Sequence, residues 1–223
     1  STTMTTITQG YTIAVDSAVD DNINAFKAEA ATMTSASDLL NNQTVLSMVM
    51  STYGLDSSTD NSSILTALLT QDPTSSTSLA QASGSTAWQD FATAFKSMGQ
   101  NNGTATSTPF TAATISSIAT KYTDAINSGT TSAIASFKSD AAGITSVSSL
   151  LSNSSALQVV LGAYGLGSLA SDPAVVKTLL TQDPDSSTSL AQPSGNTAWQ
   201  SFATAFKVWG ANGGRGGARA WTW

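Results

Sequence analysis

Residues 179–210 read LLTQDPDSSTSLAQPSGNTAWQSFATAFKVWG. Residues 68–99 read LLTQDPTSSTSLAQASGSTAWQDFATAFKSMG, and 26 of the 32 aligned positions are identical at a constant offset of 111. The same offset relates Tyr11 to Tyr122 without any insertion or deletion in between. The chain of 223 residues is therefore a tandem duplication of a unit that lies within the usual size range of a domain.

Apolar residues in both copies recur at helical spacing. Trp88, Phe91, Phe95 and Met98 fall at i, i+3, i+7 and i+10, which places them on one face of a helix. The equivalent residues of the second copy are Trp199, Phe202, Phe206 and Trp209. No stretch sustains the strict alternation of apolar and polar residues that is typical of a strand. The sequence therefore predicts an all-α protein made of two tandemly duplicated small helical bundles, with about four to five helices in each bundle.

The first helix of each copy is predicted from the same spacing. Val19, Ile23 and Phe26 lie on one face of a helix that we place at about residues 12–31. Its counterpart is placed at about residues 113–142, where Gly129 is expected to break the helix because glycine is a poor helix former.

Capping residues predict the ends of the next helix. Hydroxyls and a carboxylate in residues 34–38 suit a helix start, because they can accept the first free N–H groups. One helix is predicted from there through Tyr53. Gly54 and its equivalent Gly165 follow at positions where a left-handed C-terminal cap is expected.

The repeat and the loop composition predict the division of the chain. In chain order, the predicted segments are a flexible N-terminal segment (1–10), the first repeat (11–99), a linker rich in Asn, Gly and Thr (100–111), the second repeat (112–210), and a Gly/Arg/Trp tail that is expected to be disordered or non-native (211–223).

The composition predicts a surface with very little charge. Ser and Thr together number 69, and charged residues make up 10% of the chain, whereas about 25% is usual for soluble proteins. Such a surface has little electrostatic repulsion to keep copies of the protein apart. This composition favours a secreted or assembled protein over a cytosolic enzyme.

The charge balance argues against two classes of partner. Eight Lys and Arg residues against 14 Asp and Glu leave a net charge of −6, whereas nucleic acids and anionic membranes bind clusters of Lys and Arg. No apolar run approaches the ~18 residues of a membrane helix, so no membrane insertion is expected. The N-terminal residues lack the basic and apolar regions of a secretory signal. Removal of a signal, export without a cleaved signal, and retention inside the cell all stay open.

The chain contains no His and no Cys, which restricts the chemistry it can perform. A Ser–His–Asp triad, a Cys–His pair and nearly all zinc sites are excluded. Asp72 and Asp183 occupy equivalent positions, but a turn before proline already explains both of them. Residues 56–61 carry oxygen ligands for calcium but lack the spacing and the Gly of an EF-hand loop, so a solvated loop is favoured. We therefore predict a protein that is not an enzyme, with no catalytic residue, no metal site and no cofactor.

The tryptophans of the aromatic stripes are the candidate contact residues. Aromatic residues at helical spacing usually form core, but Trp88, Trp199 and Trp209 could also line a groove for a sugar or a peptide. Trp209 replaces Met98, so the end of the stripe is where the two copies could differ in what they contact.

A set of short motifs stands in the same order along the two copies. The matching residues of the first copy are Ser35, Asp38-Leu39-Leu40, Tyr53-Gly54-Leu55, Asp72-Pro73, Ser78-Leu79-Ala80, Trp88, Phe91-Ala92 and Ala94-Phe95. The matching residues of the second copy are Leu150-Leu151, Tyr164-Gly165-Leu166, Asp183-Pro184, Ser189-Leu190-Ala191, Trp199, Phe202-Ala203 and Ala205-Phe206. The order of these motifs resembles a bacterial, flagellum-associated family of small helical domains of unknown function. The resemblance implies association with a flagellum or another exported surface structure, and it implies no reaction.

Besides a hydrolase that would depend on Asp72 or Asp183, which the turn before proline disfavours, two functional hypotheses follow. The first is a non-enzymatic structural or assembly protein, exported and held on a flagellum or an extracellular surface filament by self-association or by contacts with other surface subunits. The second is a binding module in which each repeat presents an aromatic groove to a glycan or a peptide. The expected location is the bacterial cell surface or the medium, with the cytoplasm as the alternative.

Overall fold

The computed structural model describes residues 4–55, 62–105, 109–192 and 194–211. Within these ranges the protein is all-α, as predicted, and its only β-type pairing is one isolated antiparallel bridge between Ser35 and Thr104. None of the described helices combines the length and the apolar character that a membrane span requires.

Helices account for most of the described residues in both halves of the chain. The α-helices up to residue 99 are α1 (Met4–Ala30), α2 (Ala36–Asn41), α3 (Gln43–Thr52), α4 (Ser62–Thr70), α5 (Leu79–Ala82), α6 (Thr86–Ala94) and α7 (Lys96–Gly99). Those that follow are α8 (Ala112–Asp140), α9 (Val147–Ser152), α10 (Ser154–Ala163), α11 (Pro173–Thr181), α12 (Thr197–Ala205) and α13 (Lys207–Ala211). Short 3-10 helices also occur at Ala141–Gly143 and Gly167–Ser171.

The first helix begins eight residues earlier than the sequence pattern predicts. α1 starts at Met4, and both Met4 and Ile7 are buried, at 2% and 1% exposed. The prediction of a flexible segment at 1–10 is therefore wrong for residues 4–10. The Thr-rich composition concealed the helix, because threonine has a low helix propensity that tertiary burial of neighbouring residues can override.

α8 runs through Gly129 without a break, contrary to the prediction. A Cβ atom at this exposed position would meet nothing within 4 Å, so no packing contact requires the glycine. A single glycine in a helix of 29 residues costs only about 1 kcal/mol relative to alanine.

Two expected helices are each divided into two. Asn42 ends α2 and caps α3, since its Oδ1 accepts from the N–H of Val45 at 3.0 Å. Phe95 separates α6 from α7 with a φ of −104° and a ψ of 23°. These divisions give more and shorter helices than the four to five predicted for each copy.

The predicted caps are present in the structure. Ser35 accepts from the N–H of Asp38 at 3.1 Å, and the Asp38 carboxylate accepts from the N–H of Ser35 at 2.9 Å, which completes a capping box. Gly54 and Gly165 have φ values of 67° and 69°, in the left-handed region that glycine adopts without strain.

The chain separates into two compact units whose boundaries differ from those of the repeats. One unit is Val19–Ile126, here called the continuous unit. The other combines Ser1–Ala18 with Asn127–Trp223 and is here called the split unit. The first half of α1 therefore belongs with the second repeat, and the first half of α8 belongs with the first repeat.

Each unit has its own hydrophobic core of buried residues. The core of the continuous unit includes Phe26, Leu39, Val49, Leu68, Phe91, Phe95 and Phe110. The core of the split unit includes Ile7, Phe137, Leu150, Val160, Leu179, Phe202 and Trp209.

The predicted linker packs onto the continuous unit wherever the structure describes it. Gly103 accepts from the N–H of Ala36 at 2.8 Å, and Ala105 donates to the carbonyl of Thr34 at 2.8 Å. Phe110 is 3% exposed, and its ring contacts that of Phe95 with the centroids 5.3 Å apart. The described residues of 100–111 are therefore part of the fold rather than a free spacer.

Candidate functional site

A groove of 660 Å³ runs between the second half of α1 and the first half of α8, within the continuous unit. Its apolar lining includes Ile23 from α1 and both Ile115 and Ala119 from α8. Ile23 and Ile115 are half-buried and rest on the core below. No sequence motif marks this groove, because its two walls are remote in the chain.

Charged groups also line the groove. The carboxylates of Asp20 and Asp124 and the ammonium of Lys27 are the ionised groups of its lining, with one net negative charge between them. The remaining lining is made of hydroxyls, an amide and small apolar groups. This mixture can hold a ligand or a partner helix by hydrogen bonds and apolar contact.

Polar contacts hold the first half of α8 against the other helices of the continuous unit. The Nδ2 of Asn22 donates to the hydroxyl of Tyr122 at 3.0 Å. The Nζ of Lys121 lies 5.2 Å from the centroid of the Tyr53 ring, which suits a cation–π contact. Burial raises the pKa of the Tyr53 hydroxyl, and the negative charge of Asp90 adds to this effect.

The equivalent helix half, the first half of α1, packs tightly in the split unit. A Cβ atom on Gly10 would lie 2.9 Å from the carbonyl oxygen of Ala163, and one on Gly162 would lie 2.7 Å from the ring of Tyr11. The two glycines therefore let α1 approach α10 directly. The equivalents of Gly10 and Gly162 are Lys121 and Ser51, so the continuous unit has no glycine at either of these positions.

The candidate contact tryptophans divide into two groups. Trp88 and Trp199 are half-buried and pack against the cores of their units, and neither of them lines the groove. Trp209 is 2% exposed and contacts Phe206 with the ring centroids 5.4 Å apart. This burial does not fit a contact role for Trp209, because the ring has no surface to offer a ligand.

Both aspartates before proline organise turns, which agrees with the structural explanation of these residues. The Oδ1 of Asp72 accepts from the N–H of Thr74 at 2.9 Å and from its hydroxyl at 2.7 Å. Both bonds hold the pKa of Asp72 below its usual value, and the bond from the N–H has the larger effect. Asp183 accepts from the N–H of Asp185 at 3.1 Å, and the Asp185 carboxylate pairs with Lys207.

Four glutamines that the sequence analysis overlooked clamp the repeated loop. The Oε1 of Gln71 accepts from the N–H of Leu79 at 2.6 Å, and the Nε2 of Gln81 donates to the carbonyl of Pro73 at 2.8 Å. Gln182 and Gln192 repeat these bonds in the split unit, both at 2.7 Å. The sequence did carry a signal for them, because glutamine stands at both equivalent positions of each pair and is seldom required for packing alone.

Metal-binding residues do not cluster in the part of the chain that the structure describes. Within it, no group of three or more Asp or Glu side chains is placed to hold an ion. Residues 56–61, the weak calcium candidate, lie outside the described residues. The same is true of residues 212–223 of the tail.

A family model described as a protein of unknown function (DUF1217) matches residues 52–169 and again residues 163–220. The two matches begin 111 residues apart (163 − 52), which is the offset of the sequence repeat. No curated protein matches the chain, and no solved structure matches it either.

Proposed function

For this chain, which belongs to the DUF1217 family of proteins of unknown function, we propose a structural or assembly role without catalysis. In this proposal the protein is exported and held on a flagellum or another extracellular filament through contacts between subunits.

The observation that carries the proposal is what the repeated residues do. Many of the residues that the two copies have in common serve the fold. They cap helices, as Ser35 and Ser146 do at equivalent capping boxes, or they clamp a loop or fill a core. Duplication of a unit whose shared residues serve the fold supplies two similar surfaces, which suits assembly.

The surface chemistry supports contacts between subunits. The exposed faces are rich in Ser and Thr and poor in charge, so approaching copies meet little repulsion. Ile13 and Val208 are 69% and 59% exposed and add apolar area to the split unit. The flagellar part of the proposal is supported by the motif resemblance alone.

Localisation tests this proposal directly. Immunogold electron microscopy of producing cells and of filaments sheared from them is expected to label the filaments. A protein found only in the cytoplasm, monomeric and absent from sheared material, would contradict both the location and the role.

The groove between α1 and α8 favours a second candidate, a binding module for a glycan or a peptide. Ser116 and Ser117 are adjacent and exposed, but only Ser116 lines the groove. If a ligand found in a glycan or peptide panel binds there, Ser116→Trp blocks it and Ser117→Trp does not. Equal binding by both variants would remove the groove from consideration.

A further inference from the structure

The first half of α1 packs into a core built by the second repeat. Met4, Ile7 and Tyr11 are buried together with Phe137 and Val160, and all five belong to one cluster in the split unit. Residues 4–18 thus complete a core whose other members begin at position 127 or later.

The first half of α8, in turn, packs into a core built by the first repeat. Ile118 is buried with Phe26 and Leu39 of the first repeat, and Tyr122 packs against the same cluster. Tyr11 and Tyr122 are equivalent at the offset of 111. The two repeats have therefore exchanged equivalent helix halves within one chain.

The surface that receives residues 4–18 is shaped for them. Gly10 approaches the Ala163 carbonyl, and Gly162 approaches the Tyr11 ring, closely enough that a Cβ atom on either glycine would clash. Since the split unit joins two segments that are remote in sequence, a second copy could supply the same residues through the same contacts.

α8 has a weak point where it passes from one unit to the other. The units divide between Ile126 and Asn127, and Gly129 follows in the same helix. No neighbour lies within 4 Å of where its Cβ would be, so packing does not explain the glycine. The equivalent position in α1 is Ala18, which also lies at the division between the units.

We propose that the partner in assembly is a second copy of this chain, and that residues 4–18 of one copy occupy the α10 surface of another after α8 opens at Gly129. This inference rests on the proposed assembly function and names its contact. In the exchanged pair, residues 4–18 make the same contacts as in the closed fold, but with the other copy. Only the conformation at Gly129, here called the hinge, differs.

Engineered cysteines can report which copy supplies the helix, because the natural chain has none. A Cβ at position 10 would lie 3.3 Å from that of Ala163, so the pair Gly10→Cys and Ala163→Cys can form a disulfide after a shift of a few tenths of an ångström. We would mix the two full-length single variants after gentle warming, oxidise them, and separate the products on a non-reducing gel. A covalent heterodimer is expected, with each single variant alone as the control.

The double variant separates exchange from ordinary surface contact. Disulfides that stay within one chain, even in an oligomeric fraction, together with no heterodimer in the mixture, would overturn the exchange and leave assembly by other surfaces intact. Filament labelling tests the assembly function independently.

The hinge is tested without any cysteine, which covers the case in which Gly10→Cys fails to fold. Light scattering of the natural chain is expected to show mass that rises with concentration. Gly129→Ala is expected to slow this association about fivefold, because alanine stabilises the closed helix. A chain that stays monomeric at every concentration, or an association rate that Gly129→Ala leaves unchanged, would overturn the proposal.

Discussion

The Nδ2 amide of Asn42 donates to the carboxylate of Glu29 at 2.5 Å, and the same bond recurs between Asn153 and Asp140 at 2.8 Å. Glu29 is the only Glu in the chain. In both units this hydrogen bond joins the end of a long helix to an asparagine further along the chain. That asparagine is the N-cap of α3 in one unit and of α10 in the other.

Replacing this asparagine is expected to destabilise the unit that contains it. Asn42→Ala removes the cap on Val45 and the partner of Glu29, so the free energy of unfolding of the continuous unit should fall by about 2 kcal/mol. Denaturant unfolding followed by circular dichroism measures the loss, and Asn153→Ala should act equally on the split unit.

A charge exchange isolates the bond itself. Asn42→Asp keeps the capping oxygen but places a carboxylate against Glu29, so it should also destabilise. Adding Glu29→Gln restores a donor and should recover most of the stability. A double variant no more stable than Asn42→Asp alone would show that the pair does not act as described.

Gly99→Ala is expected to cost about 2–3 kcal/mol of stability, because the added methyl would clash with the carbonyl oxygen of Gln71. The matched control is Gly129→Ala, where the methyl meets nothing and should stabilise the protein by about 0.5–1 kcal/mol. Thermal unfolding of both variants checks the opposite signs, and a neutral Gly99→Ala would refute the close approach.

Trp209→Ala is expected to lower the stability of the split unit by about 3–5 kcal/mol, since the ring is buried beside Phe206. Trp199→Ala serves as the control and should cost less, because that ring is only half-buried. Trp209→Met should cost less than Trp209→Ala, as Met98 fills the equivalent place in the first repeat. Equal losses for Trp209→Ala and Trp199→Ala would contradict this assignment.

Acid is expected to weaken the capping box of Ser35 and Asp38 but not the equivalent box of Ser146 and Ser149. The N–H of Thr34, followed by the Ser35 hydroxyl, lowers the pKa of Asp38 from 3.8. A carboxyl whose folded pKa is depressed stabilises the fold above its unfolded pKa and loses that effect as the pH falls through the folded value. The loss therefore belongs to the acid side of pH 3.8.

The second repeat supplies the control for this pH dependence. Ser149 stands at the position of Asp38 and cannot titrate in this range. Asp38→Ser should therefore remove part of the acid sensitivity of the continuous unit while the split unit is unaffected. Unfolding curves at neutral pH and at about pH 3 measure this difference. An unchanged acid response in Asp38→Ser would contradict it.

Much of the local structure was predictable because it depends on neighbours in the chain. The Ser35 capping box and the left-handed Gly54 and Gly165 follow from residues within one helical turn of each other. The breaks at Asn42 and Phe95 were missed, since apolar spacing continues across both positions. The groove between α1 and α8 carried no signal, because its walls meet only after folding.

By itself the sequence determined the duplication, the helical class and most of the caps. Only the tertiary structure decided which repeat each long helix half completes. The physical reason is that Tyr11 and Tyr122, like the cores that receive them, are related by the same offset of 111. Two equivalent helix faces fit two equivalent cores by the same spacing, so periodicity cannot distinguish a helix packed on its own repeat from one packed on the other. Close contacts such as that of Gly10 with Ala163 make the distinction, and they exist only in the folded chain.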